Sequence, residues 1–72
     1  KAEALEFRVE KDAPLIGIPL EKLSFKDNLL IACINRGGQI ITPRGKDTIE
    51  PGDTVIVVTT HSGLKDLKDV LR

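Results

Sequence analysis

The fold is decided by the stretch Leu29-Leu30-Ile31-Ala32-Cys33-Ile34-Asn35-Arg36-Gly37-Gly38-Gln39-Ile40-Ile41-Thr42. Its first six residues are all apolar, which is the pattern of a β-strand covered on both faces. Gln39–Thr42 resumes a β-type pattern after the paired glycines Gly37 and Gly38. Tight hairpin turns require positive φ, which glycine adopts without strain. The stretch therefore predicts two antiparallel strands joined by a tight turn.

Two further strands are predicted on either side of this hairpin. Ala4–Glu10 alternates apolar and charged residues, and this period of two is typical of a half-buried strand. Thr54–Thr60 is β-branched and almost continuously apolar, and it predicts the last strand.

The segments between these strands are predicted to be irregular. Leu15–Leu20 is apolar, but Gly17 and Pro19 interrupt it, so we expect a packed connection that leads into a short helical turn at Leu20–Leu23. After the third strand, Glu50-Pro51-Gly52-Asp53 predicts a type II turn, with proline and glycine at its two central places.

The final segment predicts a helix with Ser62 as its N-cap. Its expected buried face consists of Leu64, Leu67, Val70 and Leu71. The predicted class is α+β: a small sheet that curls into a pseudo-barrel capped by this helix, or that covers its open face with a second copy. No linker or repeat is visible, so residues 1–72 are predicted to be one domain.

Size and composition exclude several classes of function. A chain of 72 residues has a small core, so we expect a homodimer, and the absence of a starting methionine suggests one domain of a longer protein. The formal net charge is zero and Phe7 and Phe25 are the only aromatic residues, which argues against nucleic acid as a partner. The lone Cys33 lies within an apolar run, so we expect a core residue in a reducing cytosol. Neither a membrane-spanning stretch nor a signal peptide is visible.

No set of residues predicts catalysis or a metal site. His61 is the only histidine and Cys33 the only cysteine, which are too few ligands for zinc. Ser24 and Ser62 lie outside any nucleophile motif. His61 is therefore interpreted as a residue of the junction between strand and helix, and the chain is predicted not to be an enzyme.

Phosphate binding remains open at two loops. Arg36-Gly37-Gly38 and Arg44-Gly45-Lys46 both combine glycine with a cation, which suits a phosphate approached by backbone N–H groups and a guanidinium. Neither loop matches a nucleotide-binding fingerprint. The alternative is two loops whose charges serve solubility.

Four segments, in this order and spacing, resemble the RCK C-terminal (TrkA-C) domain. They are Pro14-Leu15-Ile16-Gly17-Ile18-Pro19-Leu20-x-x-Leu23, Leu30-Ile31-Ala32-Cys33-Ile34-Asn35-Arg36-Gly37-Gly38, Ile41-Thr42-Pro43-Arg44-Gly45 and Glu50-Pro51-Gly52-Asp53-Thr54-Val55-Ile56-Val57-Val58. The resemblance extends from about Leu5 to Leu71 and implies a β-X-β-β-X-β-α pseudo-barrel.

The resemblance also implies a setting and a site. In TrkA-like proteins this domain follows a Rossmann-type nucleotide-binding domain, dimerises, and acts on the cytosolic side of a membrane potassium transporter or channel. In some members the cleft between two copies binds a small regulator such as cyclic di-AMP. Carried over by position, the ligand-binding residues are Asn28, Leu29 and Pro43, with Arg44 adding a charge. The segment before Asn28 is shorter than in cyclic di-AMP binders and has Lys26 where those members have an arginine further back.

Two hypotheses from different classes follow. The first is a cytoplasmic, ligand-sensing and dimerising regulatory domain of a prokaryotic potassium transport protein. The alternative is a purely structural dimerisation domain of an anion symporter or an antiporter, without a ligand. In both, part of an apolar set is expected to support the dimer. That set is Ile16, Ile18, Leu29 and Ile31.

Overall fold

The computed structural model describes all residues, Lys1–Arg72, and contains one antiparallel sheet of four strands. The strands are β1 (Glu3–Arg8), β2 (Leu29–Arg36), β3 (Gln39–Ile41) and β4 (Thr54–Thr59). Their order in the sheet is β1-β4-β2-β3, so β4 lies between β1 and β2. Two short 3₁₀ turns complete the fold, η1 (Leu20–Lys22) and η2 (Leu67–Val70). The four predicted strands and the turn at Leu20 are therefore confirmed.

A β-bulge explains the long apolar run in β2. Ile31 lies opposite Val57 and Cys33 lies opposite Ile56, so β2 has one extra residue in this part of the ladder. The alternation of faces restarts after the bulge. Ile31 and Ile34, three residues apart, consequently both point into the core.

The apolar run predicted that β2 is covered on both faces, and this prediction is wrong. Leu30 lies on the side of the sheet away from the core and is 62% exposed. The prediction that Cys33 is a core residue is also wrong, because Cys33 is only partly buried and lies opposite Ile56, on the side of the sheet away from the core. The bulge lets an unbroken apolar run serve a strand that is covered on one face, so such a run does not require two covered faces.

Both predicted turns are confirmed. Gly37 and Gly38 connect β2 to β3 with φ values of 60° and 90°, and positive φ at both central positions defines a type I′ hairpin turn. In the second turn the Asp53 N–H donates to the Glu50 carbonyl at 3.1 Å. Gly52, at the third place of this turn, has a φ of 86°, as a type II turn requires.

The core lies on one face of the sheet and is filled largely by irregular segments. The sheet contributes Ile31, Ile34, Val55 and Val57, and the first connection contributes Leu15 and Leu20. The second connection contributes Ile49, which forms a parallel bridge with Ile16, and η2 contributes Leu67 and Val70. These segments contain no α-helix, yet they cover the face of the sheet that helices cover in most α+β folds.

The predicted C-terminal helix is wrong, and the sheet is not closed into a barrel. Gly63 has a φ of 82°, and the only helical residues beyond it are those of η2. Asp66, not Ser62, is the N-cap, and it forms a capping box with Asp69. Leu71 leaves the turn in an extended conformation and pairs with Phe25. Because this pairing satisfies backbone groups at the C-terminus, the short segment gains little from a helix, whose nucleation is unfavourable.

An ion pair ties the end of β2 to the beginning of β4. Arg36 Nε donates to Asp53 Oδ1 at 2.9 Å, and Arg36 Nη2 donates to Asp53 Oδ2 at 2.8 Å. Arg36 Nη2 also donates to the Thr48 carbonyl at 2.9 Å, and the Glu50 N–H donates to Asp53 Oδ2 at 2.9 Å. Asp53 is 1% exposed. The hydrogen bonds from Arg36 hold the pKa of this carboxyl below its usual range, although burial acts in the opposite direction.

The loop between β3 and β4 packs closely against η1. The Leu20 N–H donates to the Asp47 carbonyl at 2.9 Å, and the Glu21 N–H donates to the Gly45 carbonyl at 2.8 Å. A Cβ added to Gly45 would lie 2.7 Å from Glu21 Oε1 and 3.0 Å from Glu21 Cβ. Glycine at position 45 therefore allows a close approach that a side chain would obstruct.

We expect Asp53→Asn to lower the free energy of unfolding by about 1–3 kcal/mol at neutral pH, since it removes a charged acceptor from a buried network. The folded-state pKa of Asp53 is depressed, so its contribution is present above the unfolded-state pKa, about 3.9, and is lost as the pH falls through the folded-state pKa. Urea unfolding between pH 7 and pH 3 should therefore show a weaker acid dependence in the variant. Asp27→Asn is the matched control, because the Asp27–Arg72 pair is exposed on both sides. Equal stability of Asp53→Asn and the unmodified chain would contradict this role.

We expect Gly45→Ala to destabilise the fold by about 1–3 kcal/mol, because the new methyl group overlaps Glu21. Thermal and urea unfolding measure the cost. In a Glu21→Ala background the cost should be smaller but not zero, since the carboxylate contact disappears while the contact with Cβ stays. Equal costs in both backgrounds would show that the loop does not rest on Glu21.

Candidate ligand site

The structure places the four predicted ligand-binding residues at two neighbouring depressions. Leu29, Pro43 and Arg44 line one depression, and Asn28 and Leu29 line the other. Leu29 and Leu30 belong to both. The structure thus brings three of the four residues together and places Asn28 next to them.

The first depression lies between the beginning of β2 and the loop that follows β3. β3 is short and pairs only with Ile34–Arg36, so the earlier part of β2 has no strand beside it on this side. The loop residues Pro43–Gly45 form the opposite wall, and Leu20 and Glu21 of η1 complete the lining with Phe25. The short strand therefore creates the gap, and the loop bonded to η1 limits it.

Hydrogen bonds from Thr59 and Thr60, at the end of β4, hold the turn at Asn28 in place. Asn28 has a φ of 58°, in the left-handed region that asparagine tolerates better than most residues. Its carbonyl accepts hydrogen bonds from the Thr60 N–H at 3.3 Å and from Thr59 Oγ1 at 3.0 Å. Its side chain is exposed. Asn28 consequently presents a free amide on a fixed backbone.

His61 also supports this turn. Its Nε2 lies 2.6 Å from the Asp27 carbonyl oxygen, and this nitrogen must carry the proton because a carbonyl can only accept. The His61 N–H donates to Thr59 Oγ1 at 3.0 Å. His61 follows β4, as expected, but no helix begins there.

The two loops that combine glycine with a cation differ in the structure. Arg36 is bound to Asp53 and Thr48 and lies at the far end of β2 from Leu29. Arg44 lines the depression, is exposed, and takes part in neither of the chain's two ion pairs. Arg44 is therefore the cation that this site offers to an anionic group.

Lys26 is not available to a ligand in this structure. Its Nζ donates to the Asp69 carbonyl and, at 2.9 Å, to the Leu71 carbonyl. Lys26 thereby fixes the C-terminal segment beside Phe25, whose backbone pairs with Leu71. Its contribution to the site is indirect, through the position of Phe25.

Sequence reasoning missed Glu21, Phe25 and Leu30 as lining residues. Each reaches the depressions through an irregular connection or through the bulged strand, and no local pattern signals this. Glu21 places a carboxylate in the same lining as Arg44. The site is thus apolar with one group of each charge.

A third concave region lies on another part of the molecule. It is a groove of mixed charge between the end of β1, the connection that follows it, and η2. Its lining includes Arg8, Glu10, Asp12, Asp66 and Lys68. None of the predicted ligand-binding residues contributes to it. No group of three or more potential metal ligands occurs in the structure, and none of its helices has the length and apolar character needed to cross a membrane.

Comparison with known proteins places this geometry in a family context. The model of the TrkA-C domain matches residues 4–72. A Trk system potassium uptake protein TrkA homolog of Pyrococcus abyssi is 32% identical over 71 residues, which cover 97% of this chain and 31% of that protein. The K(+)/H(+) antiporter NhaP2 of a Shewanella species is 29% identical over 68 residues, which cover 94% of this chain and 12% of the antiporter.

A solved structure described as an RCK domain with cda is similar in fold, with a TM-score of 0.69 and 24% sequence identity. The match covers 82% of this chain and 81% of that one. The chain spans about a third or less of the length of the curated relatives described above. Because the family model matches nearly every residue, the chain belongs to the TrkA-C domain family.

Proposed function

We propose that this domain is a cytoplasmic regulatory module of a prokaryotic potassium transport or channel protein, where it senses a small ligand and dimerises. The observation that carries the proposal is the depression between Leu29–Ile31 and Pro43–Gly45, with the unpaired guanidinium of Arg44 at its wall. It occurs in a chain that is similar to potassium uptake proteins over almost its whole length.

The chemistry of the lining favours a nucleotide-like ligand. Arg44 suits a phosphate, because a guanidinium binds phosphate oxygens with two parallel hydrogen bonds. Leu29, Leu30 and Pro43 offer apolar surface to a base or sugar. The Asn28 amide both donates and accepts, which suits the polar edge of a base. Cyclic di-AMP, which combines these features, is the first candidate regulator.

The shape of the site supports a complex of two copies. Ligand sites usually bury 70–90% of a small molecule, whereas both depressions are open to solvent on one side. A second copy supplies the missing wall when the two sites face each other. A ligand held between two copies then favours one relative placement of the subunits, by as much as its affinities for the two placements differ.

The proposed setting includes a larger assembly. The relatives are three or more times longer than this chain, so the domain is expected to act with further parts. We propose a Rossmann-type domain on its N-terminal side and a membrane potassium transporter or channel subunit as partner. In this setting, a change in the relative placement of the two copies is passed on to the membrane protein and regulates it.

A second candidate is a structural dimerisation domain of another transporter, without a ligand. Two observations favour it. The K(+)/H(+) antiporter NhaP2 and one TrkA homolog are each 29% identical to this chain over 68 residues, and the Glu21 carboxylate lies in the same lining as Arg44. A carboxylate in the same lining weakens the attraction of the site for an anion.

Thermal unfolding against cyclic di-AMP, AMP, ATP and NADH separates the two candidates. A ligand at about 100 times its Kd stabilises the fold by about 2.7 kcal/mol, which raises Tm by several degrees in a domain of this size. We expect one nucleotide to produce this shift and Arg44→Ala to abolish it without dispersing the dimer. Asn28→Gly should weaken it while tolerating the positive φ at this position.

Lys46→Ala is the matched control, because Lys46 is an exposed cation of the same loop but does not line the depression. It should leave the shift unchanged. An absence of any shift with all four compounds would contradict ligand sensing and favour the structural candidate. A shift that survives Arg44→Ala would contradict the assignment of the site.

A further inference from the structure

The stretch between η1 and β2 carries one wall of the candidate ligand site. Phe25 lines the depression together with Leu29 and Pro43. Because η1 ends at Lys22 and β2 begins at Leu29, residues 24–26 belong to neither element. The position of the Phe25 ring therefore depends on the residues to which this backbone is bonded.

Every hydrogen bond that this backbone makes within the chain goes to residues 69–72, here called the C-terminal strap. The Lys26 N–H donates to the Val70 carbonyl at 2.9 Å. The Arg72 N–H donates to the Ser24 carbonyl, also at 2.9 Å. The two bonds lie on either side of the phenylalanine, so the strap fixes the backbone that carries the ring.

The Lys26 side chain fastens the same strap. Its ammonium group donates to the Asp69 carbonyl and, at 2.9 Å, to the Leu71 carbonyl. Arg72 adds an ion pair with Asp27 at 2.7 Å, but both side chains are exposed, so this pair contributes little to stability. The backbone bonds and the lysine therefore hold the strap in place.

The end of the strap can be released while the rest of the fold stays intact. Val70 is fully buried and anchors the strap in the core, whereas Leu71 is only partly buried and Arg72 is exposed. Segments with few buried apolar contacts open locally at a free energy below that of global unfolding. Release of residues 71–72 leaves the buried residues of η2 in place and loosens the backbone at Phe25.

We propose that the C-terminal strap is a regulatory element of the ligand site, coupled to it through Phe25. A ligand that packs against the Phe25 ring binds more tightly when the strap is docked, because the wall of the site is then already ordered. The ligand favours the docked strap by the same factor, since a coupling free energy is reciprocal. A partner that binds the released strap consequently lowers the affinity for the ligand. This coupling regulates the site proposed above, so it rests on the proposed function.

Two substitutions at Arg72 separate the backbone bond from the side chain. Arg72→Pro removes the N–H that donates to Ser24, and Leu71 already has a φ of −78° and a ψ of 147°, which suit the residue before a proline. Arg72→Ala removes the ion pair but keeps the N–H. In calorimetric titrations with cyclic di-AMP, we expect Arg72→Pro to raise the Kd by about fivefold or more and Arg72→Ala to change it by less than about twofold.

Lys26→Met tests the strap from the other side of the contact. It keeps the aliphatic part of the side chain and removes the ammonium group that holds two carbonyls, so the Kd should rise as it does in Arg72→Pro. Lys22→Met is the matched control, because Lys22 is exposed, forms no ion pair and does not line the depression. It should leave the Kd unchanged. Circular dichroism and urea unfolding of each variant verify that the fold is retained.

Amide hydrogen exchange measures the reverse effect, that of the ligand on the strap. Saturating cyclic di-AMP should slow exchange of the Lys26 and Arg72 N–H groups, which form the two bonds to the strap. The Gly52 N–H, which donates to the Val9 carbonyl in the turn before β4, is the reference and should slow by a smaller factor. A purely structural role of the strap would not produce this difference.

The outcomes distinguish the coupling from ligand binding itself. Equal Kd values for the unmodified chain, Arg72→Pro and Lys26→Met would overturn the coupling and leave the ligand site standing. A rise in Kd as large in Arg72→Ala as in Arg72→Pro would also overturn it, because the exposed side chain would then be responsible. If cyclic di-AMP, AMP, ATP and NADH all fail to bind the unmodified chain, the proposed function fails and the coupling fails with it.

Discussion

The ion pair between Arg36 and Asp53 holds the irregular part of this domain against its sheet. The domain has no long helix, and an irregular loop of twelve residues connects β3 to β4. Through Thr48 and Glu50 the pair fixes the second half of this loop, which carries Ile49 into the core. The first half is fixed by η1. Together these contacts place Pro43 and Arg44 opposite the open part of β2.

Local chemistry was sufficient to predict most of the sheet. Alternation marked β1, paired glycines marked the hairpin, and Pro51-Gly52 marked the turn before β4. The prediction of a C-terminal helix failed because an apolar spacing of three residues, as in Leu67 and Val70, suits a single 3₁₀ turn as well as a helix. The pairing of Leu71 with Phe25, which competes with the helix, joins distant residues and leaves no local signal.

The candidate site was predictable only in part. The family resemblance pointed to Leu29, Pro43 and Arg44, which the structure brings to one depression, and to Asn28 beside it. Arg36 and Arg44 look equivalent in sequence, since a glycine follows each of them. Only the fold distinguishes them, because Asp53 engages Arg36 and leaves Arg44 free. The carboxylate of Glu21 reaches the site through tertiary packing, and it makes the charge balance there different from that of a simple phosphate site.

We propose that the two neighbouring depressions form a ligand site, and amide NMR during a titration with cyclic di-AMP tests this proposal at the level of single residues. We expect chemical-shift changes that saturate and are concentrated at residues 28–31 and 44–45, with little change near the Arg36–Asp53 pair. Shifts confined to the mixed-charge groove lined by Arg8, Glu10 and Lys68, or no shifts at all, would contradict it.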